Sequence, residues 1–145
     1  MFLLPICLIA QLTAFLTIFL LSVIPLASFS QFVLTIEIND LRNSNGQILL
    51  ELSNERGEKI TGIAQNITDN KCVIVVNNLK HGKYAFKYFH DENKNENIDV
   101  NWMKIPKEGY GFSNNAKGTF GPPPFEKTIF EIKENTVLKC VTKYI

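Results

Sequence analysis

Beyond its first thirty residues this sequence predicts an all-β domain: an antiparallel β-sandwich with one long ordered loop. Three observations predict it. Apolar residues recur at every second position in short runs, the period of a strand with one buried face. Those runs are separated by polar turns rich in Asn, Gly and Asp. No stretch after Ser30 repeats with a helical period, and six or seven short strands with polar turns pack best as two layers.

The preceding segment is a different material. The 145 residues carry 15 Lys and Arg against 14 Asp and Glu, but none of these occurs before Glu37. Residues 1–30 are apolar over a length able to span a bilayer, which takes about 20 residues as a helix. Two readings stand. The segment is a signal peptide, with Pro25 breaking its helix ahead of the small residues Ala27, Ser28 and Ser30, or it is retained as a membrane anchor. Either way the domain over residues 31–145 is expected to be exported, to the periplasm, the cell envelope or the exterior. The membrane would enter only through an uncleaved 1–30. The formal net charge of +1 argues against the clustered basic surface that nucleic acid needs.

The strands follow in order. Phe32 to Ile38 places Phe32, Leu34, Ile36 and Ile38 on one face. Asn45-Gly46 is a hairpin signal, so Gln47 to Ser53 is expected to return beside the first strand. A short strand is expected over Ile63 to Ile67. Lys71 to Val76 is apolar on both sides and reads as a central strand. Asn77 to Gly82 reads as a turn, and Lys83 to Phe89 as a strand presenting Tyr84, Phe86 and Tyr88 on one face. The span Leu79 to Phe89 resembles the penultimate hairpin of transthyretin-like and immunoglobulin-like modules. Lys127 to Ile132 and Thr136 to Tyr144 complete the set.

Between the last strands lies the stretch His90 to Glu126, far longer than the usual connection of about 2 to 6 residues. Asp91, Asn93, Asn95, Asn97 and Asp99 fall at alternate positions, the spacing with which a curved loop directs oxygen ligands at calcium. The pattern departs from a calcium loop at Glu96, where glycine is usual, and at Trp102, where a bidentate glutamate would stand. The alternative is a turn whose Asn and Asp side chains bond their own backbone. His90 beside Asp91 is the one candidate acid–base pair, and the basis of a hydrolase alternative. No Ser or Cys nucleophile is evident, and Ser113 lacks a nucleophile elbow, so no catalytic residue is assigned. Trp102, Tyr110, Phe112, Phe120 and Phe125 alternate with glycines. They are expected to cap one end of the sandwich, since exposed aromatic clusters are the exception. The other arrangement presents His90, Trp102, Tyr110, Phe112, Asn114 and Asn115 to a glycan, peptide or protein.

Cys7 lies in the leading segment, while Cys72 and Cys140 each sit in a predicted strand. In an oxidising compartment this pair either forms a disulfide, stabilising by about 4 kcal/mol in the chain-entropy view, or remains two small buried hydrophobes.

Tyr84 to Asp99, then Ile105-Pro-Lys-Glu-Gly-Tyr-Gly-Phe-Ser-Asn-Asn-Ala116 and Phe120-Gly-Pro-Pro, resemble the bacterial domain of unknown function 2141 family (DUF2141). The resemblance spans about Phe32 to Tyr144. Family members typically read Asp-Glu-Asn-Gly-Asn-Gly in the loop, where this chain has Lys94 and Glu96 among its departures. It implies an exported β-sandwich and no established activity, catalytic residues or cofactor. The combined expectation is a non-enzymatic envelope module that binds a ligand or partner through the 90–126 loop, with a calcium-stabilised structural domain as the alternative.

Overall fold

A computed structural model describes residues 30–145; the leading segment with Cys7 lies outside the described residues. The expected β-sandwich forms. Its eight strands are β1 Gln31–Asn39, β2 Gln47–Asn54, β3 Lys59–Asn66, β4 Cys72–Lys80, β5 Gly82–Asp91, β6 Tyr110–Phe112, β7 Phe130–Ile132 and β8 Thr136–Val141. One sheet runs β4-β1-β8; the other runs β3-β2-β5-β6, with β7 also paired to β5. The core lies between them. Leu34, Ile36 and Ile38 from β1 meet Ile48, Leu50 and Leu52 from β2, with Ile74, Phe86 and Ile132 filling the layer. Each such side chain contributes about 1.5–3 kcal/mol on burial.

The strand partners differ from the sequence expectation in four places. First, β1 and β2 are not a hairpin: β1 pairs with β4 and β8, and β2 with β3 and β5. The connection crosses between sheets because Leu41 is buried at the sandwich end, its N–H given to the Asn70 carbonyl. Gly46 serves a close approach instead of a hairpin turn. Its φ is +70°, and a Cβ there would collide with the Asp91 carbonyl oxygen.

Second, β4 is an edge strand, with Val73 and Val75 facing outward at 53% and 51% exposure. Two apolar faces therefore did not mean a central position. Third, the expected turn at Asn77 is a bulge. The β1–β4 register shifts between Phe32 and Leu34 opposite left-handed Asn78, and β4 continues to Lys80. Since β4 and β5 lie in different sheets, Leu79 to Phe89 turns a corner between them and is no hairpin. Fourth, β8 runs parallel to β1, so the smaller sheet is mixed. The chain leaves β7 at the end where β1 begins and enters β8 from there, alongside β1 and in the same direction.

That register also decides the cysteines. Ile38 pairs with Cys72 on one side and with Cys140 on the other. The two thiols thus stand two strand spacings apart, about 9.5 Å, beyond the roughly 7 Å Cα limit for a disulfide. Both are free and buried, which corrects the disulfide reading in favour of two small core residues. Burial pushes the Cys72 thiol up to about 11 and the Cys140 thiol up to about 12.

Candidate functional site

The His90–Glu126 stretch is not one loop. β6 pairs with the upper half of β5 and β7 with its lower half, so the stretch divides into a terminal cap, residues 92–109, and a lateral excursion, residues 113–129. The cap sits at the end of the sandwich opposite Gln31, where the domain begins.

Two buried carboxylates template the cap. Asp91 is wholly buried; its Oδ1 accepts the Asn95 N–H at 3.0 Å, and its Oδ2 accepts the Glu96 N–H and the Gln47 amide, both at 3.1 Å. Glu108, 4% exposed, takes the Glu92 and Asp99 N–H groups, both at 2.9 Å. The remaining residues of the alternating set bond to one another. Asn93 and Asn95 give their side-chain amides to the two Asp99 oxygens at 2.8 and 3.2 Å, Asn95 accepts the Asn97 N–H, and Asn97 returns its amide to the Asn95 carbonyl. This is the self-bonded turn that Asn and Asp side chains form. Both carboxylates of the set are met by N–H donors, and no group of three or more His, Cys, Asp or Glu is clustered for a metal ion among the described residues. Lys94 and Glu96 hold left-handed φ values of 58° and 62°, the conformation glycine favours.

His90 is fully buried, which removes it from the expected binding surface. Its Nε2 lies 2.8 Å from the Asn45 carbonyl, which can only accept, so that nitrogen carries a proton. Its Nδ1 lies 2.8 Å from the Tyr144 hydroxyl, which also accepts the Arg42 N–H at 3.3 Å. Neither ring nitrogen meets the Asp91 carboxylate; neighbours on one strand point to opposite faces. Burial raises the Tyr144 phenol above its ordinary value. Arg42 pairs with Glu92. Burial works against charge on Glu92, but the Asn43 amide and the Arg42 guanidinium outweigh it and hold the carboxyl below its usual value.

The aromatics do not act as one plug. Trp102 is 91% exposed and Phe120 99% exposed, against the capping expectation, while Tyr110 and Phe112 are half-buried. Trp102 and Met103 form the apex of a small hairpin. Val100 bridges Pro106, Asn101 and Ile105 pair at 2.9 Å, and the Lys104 N–H closes the turn on the Asn101 carbonyl at 2.9 Å. The Asn101 side chain accepts the Met103 and Ile105 N–H groups at 2.9 and 3.0 Å, fixing the apex from within.

Tyr110 and Phe112 stand on β6 with ring centroids 6.1 Å apart; Gly111 lies between them because a Cβ there would strike the Tyr88 ring. Asn114 gives its amide to the Lys127 and Ile129 carbonyls at 3.2 and 2.9 Å. Asn115 docks on β8, donating to the Lys139 carbonyl at 3.0 Å and accepting the Val141 N–H at 2.9 Å. These two asparagines, expected at a partner surface, are therefore exposed but engaged within the domain, Asn114 with the segment before β7 and Asn115 with β8. Ser113 is buried and spans Phe86 and Thr128, a strut and no nucleophile. Sequence reasoning missed Glu108, which no spacing announces, and Tyr144, whose partner is 54 residues away.

No curated protein and no solved structure matches this chain. One family profile does, over residues 36–139, which is most of the domain and includes every strand from β2 to β7. The chain belongs to that family, described as an uncharacterized protein conserved in bacteria (DUF2141).

Proposed function

We propose that this domain is an exported, non-enzymatic binding module of the cell envelope that holds a protein or glycan through the hairpin apex of Trp102 and Met103. One observation carries the reading: a tryptophan 91% exposed at the tip of a hairpin whose backbone is bonded from Asn101 outward. An exposed aromatic on a braced backbone gains contact area on binding, and the hairpin itself has little conformational freedom left to lose. Export rests on the charge-free apolar run of residues 1–30 and on β1 starting at Gln31, directly after it. A non-enzymatic role is supported by His90, whose two ring nitrogens are already taken and turned from Asp91.

Trp102 is the chain's sole tryptophan, so its emission reports this site alone. Titration with cell-wall glycan fragments, and separately with envelope protein fractions, is expected to give a saturable blue shift with one of them. Co-sedimentation of that fraction should be lost in Trp102→Ala and weakened in Met103→Ala, with melting unchanged. An emission spectrum that stays that of exposed tryptophan through every fraction would sink the reading.

A further inference from the structure

Beside the cap, a groove of about 470 Å³ opens between β6, the excursion and the chain's last residues. Its volume falls within the range of about 300–1,000 Å³ usual for small-molecule sites. Three properties define what fits it. Its walls are mainly apolar: Tyr110, Phe112, Pro123 and Val141, with the backbone of Gly111 and Gly118 between them. Among the described residues its only charged lining residues are Lys117 and Lys143 and no carboxylate lines it; the Lys143 ammonium stands 6.0 Å from the centre of the Tyr110 ring. Apart from the Tyr110 hydroxyl, its uncharged polar side chains are already engaged. Asn115 is spent on β8, Thr142 faces the Tyr88 hydroxyl at 3.3 Å, and the Tyr144 hydroxyl is held by His90.

A sugar needs many free hydrogen-bonding partners, and this groove offers few. An apolar body with one negative charge needs only the walls and the lysines. A further feature supports occupancy. Phe120 is 99% exposed between the lining residues Gly118 and Gly121. Its loop is tight, since a Cβ on Gly118 would collide with the Gly121 and Pro122 carbonyl oxygens. An exposed aromatic thus belongs to the same tight turn as two residues that line the groove, near enough for a seated ligand to cover part of it.

We propose that this groove binds a small organic acid, its planar apolar body against Tyr110 and Phe112 and its carboxylate paired with Lys117 and Lys143. The site is separate from the Trp102 apex and stands or falls without it.

The test uses 2-naphthoate with the purified full chain, followed by calorimetry and by amide NMR shifts. Saturable one-to-one binding is expected, with shifts concentrated at Gly111, Gly118, Gly121 and Val141. The neutral 2-naphthamide should bind more weakly, and the exposed double variant K117Q/K143Q should lose about three- to tenfold in affinity. High salt should weaken the acid and spare the amide. The proposal is overturned by an absence of saturable binding, by equal affinity for acid and amide, or by shifts elsewhere on the domain. Unchanged affinity in the double variant, or a neutral oligosaccharide occupying the groove where the acid does not, would overturn it as well.

Discussion

The Nδ1 atom of His90 lies 2.8 Å from the hydroxyl of Tyr144, joining the end of β5 to the last residues of the chain. Because Tyr144 also takes the Arg42 N–H, one phenol fastens the β5 end, the inter-sheet connection and the C-terminal segment together. Tyr144→Phe keeps the ring and its edge contact with His90 but orphans a buried ring nitrogen. A loss of about 1–3 kcal/mol in urea unfolding is expected, with little change in m-value.

The carboxylates of Asp91 and Glu108 are expected to matter as acceptors of main-chain N–H groups. Asp91→Ala and Glu108→Ala should each cost roughly 1–3 kcal/mol and speed hydrogen exchange at Glu92, Asn95, Glu96 and Asp99, whose N–H groups they hold. Millimolar calcium should leave the melting temperature of the native chain unchanged. A calcium-dependent rise that disappears in Asp91→Ala would show an ion-held loop instead.

Lys94 and Glu96 occupy left-handed backbone at φ 58° and 62°. Glycine relieves that strain, worth about 1 kcal/mol per position. Lys94→Gly and Glu96→Gly should therefore raise stability, in contrast to an ordinary loop substitution by glycine; thermal melts decide it.

The two cysteines should behave as buried thiols. A thiol-reactive dye should label neither Cys72 nor Cys140 at neutral pH until denaturant is added, since burial pushes them to about 11 and about 12. Mass spectrometry of the protein from an oxidising compartment should find no bond between them.

Glu92 carries a pH dependence whose sign follows from its lowered value. A carboxyl depressed in the folded state stabilises above its unfolded value of about 4.5 and loses that contribution as the pH falls through the folded one. The gap in stability between the native chain and Glu92→Gln should be present at neutral pH and vanish in acid. It should stay below ~1 kcal/mol, since Arg42 is partly exposed.

Much of the fold was legible because alternation is a local signal. Leu34, Ile36 and Ile38, Ile48, Leu50 and Leu52, and Tyr84, Phe86 and Tyr88 all face the core as their period requires. Strand pairing was not legible. Asn45-Gly46 carries the same dipeptide whether it turns a hairpin or lets Asp91 come close, and the outcome goes with the burial of Leu41 and the pairing of β1 and β2 with distant strands. At the cap, the alternating Asn and Asp residues suggested both an ion site and a self-bonded turn. The hydrogen bonds of that turn depend on where the amides point, which spacing cannot give.

By itself the sequence determined an all-β domain, its inward-facing residues, a distinct apolar leading segment and the stretch in which the aromatics cluster. It did so because strand period and composition are properties of neighbouring residues. The tertiary structure alone decided that β1 and β2 part company, that Ile38 separates the two cysteines, that β6 divides the long loop, and that Trp102 and Phe120 face solvent while His90 does not. Each of these is settled by contacts between segments far apart in the chain, whose energies depend on register and burial and so leave no mark in local pattern.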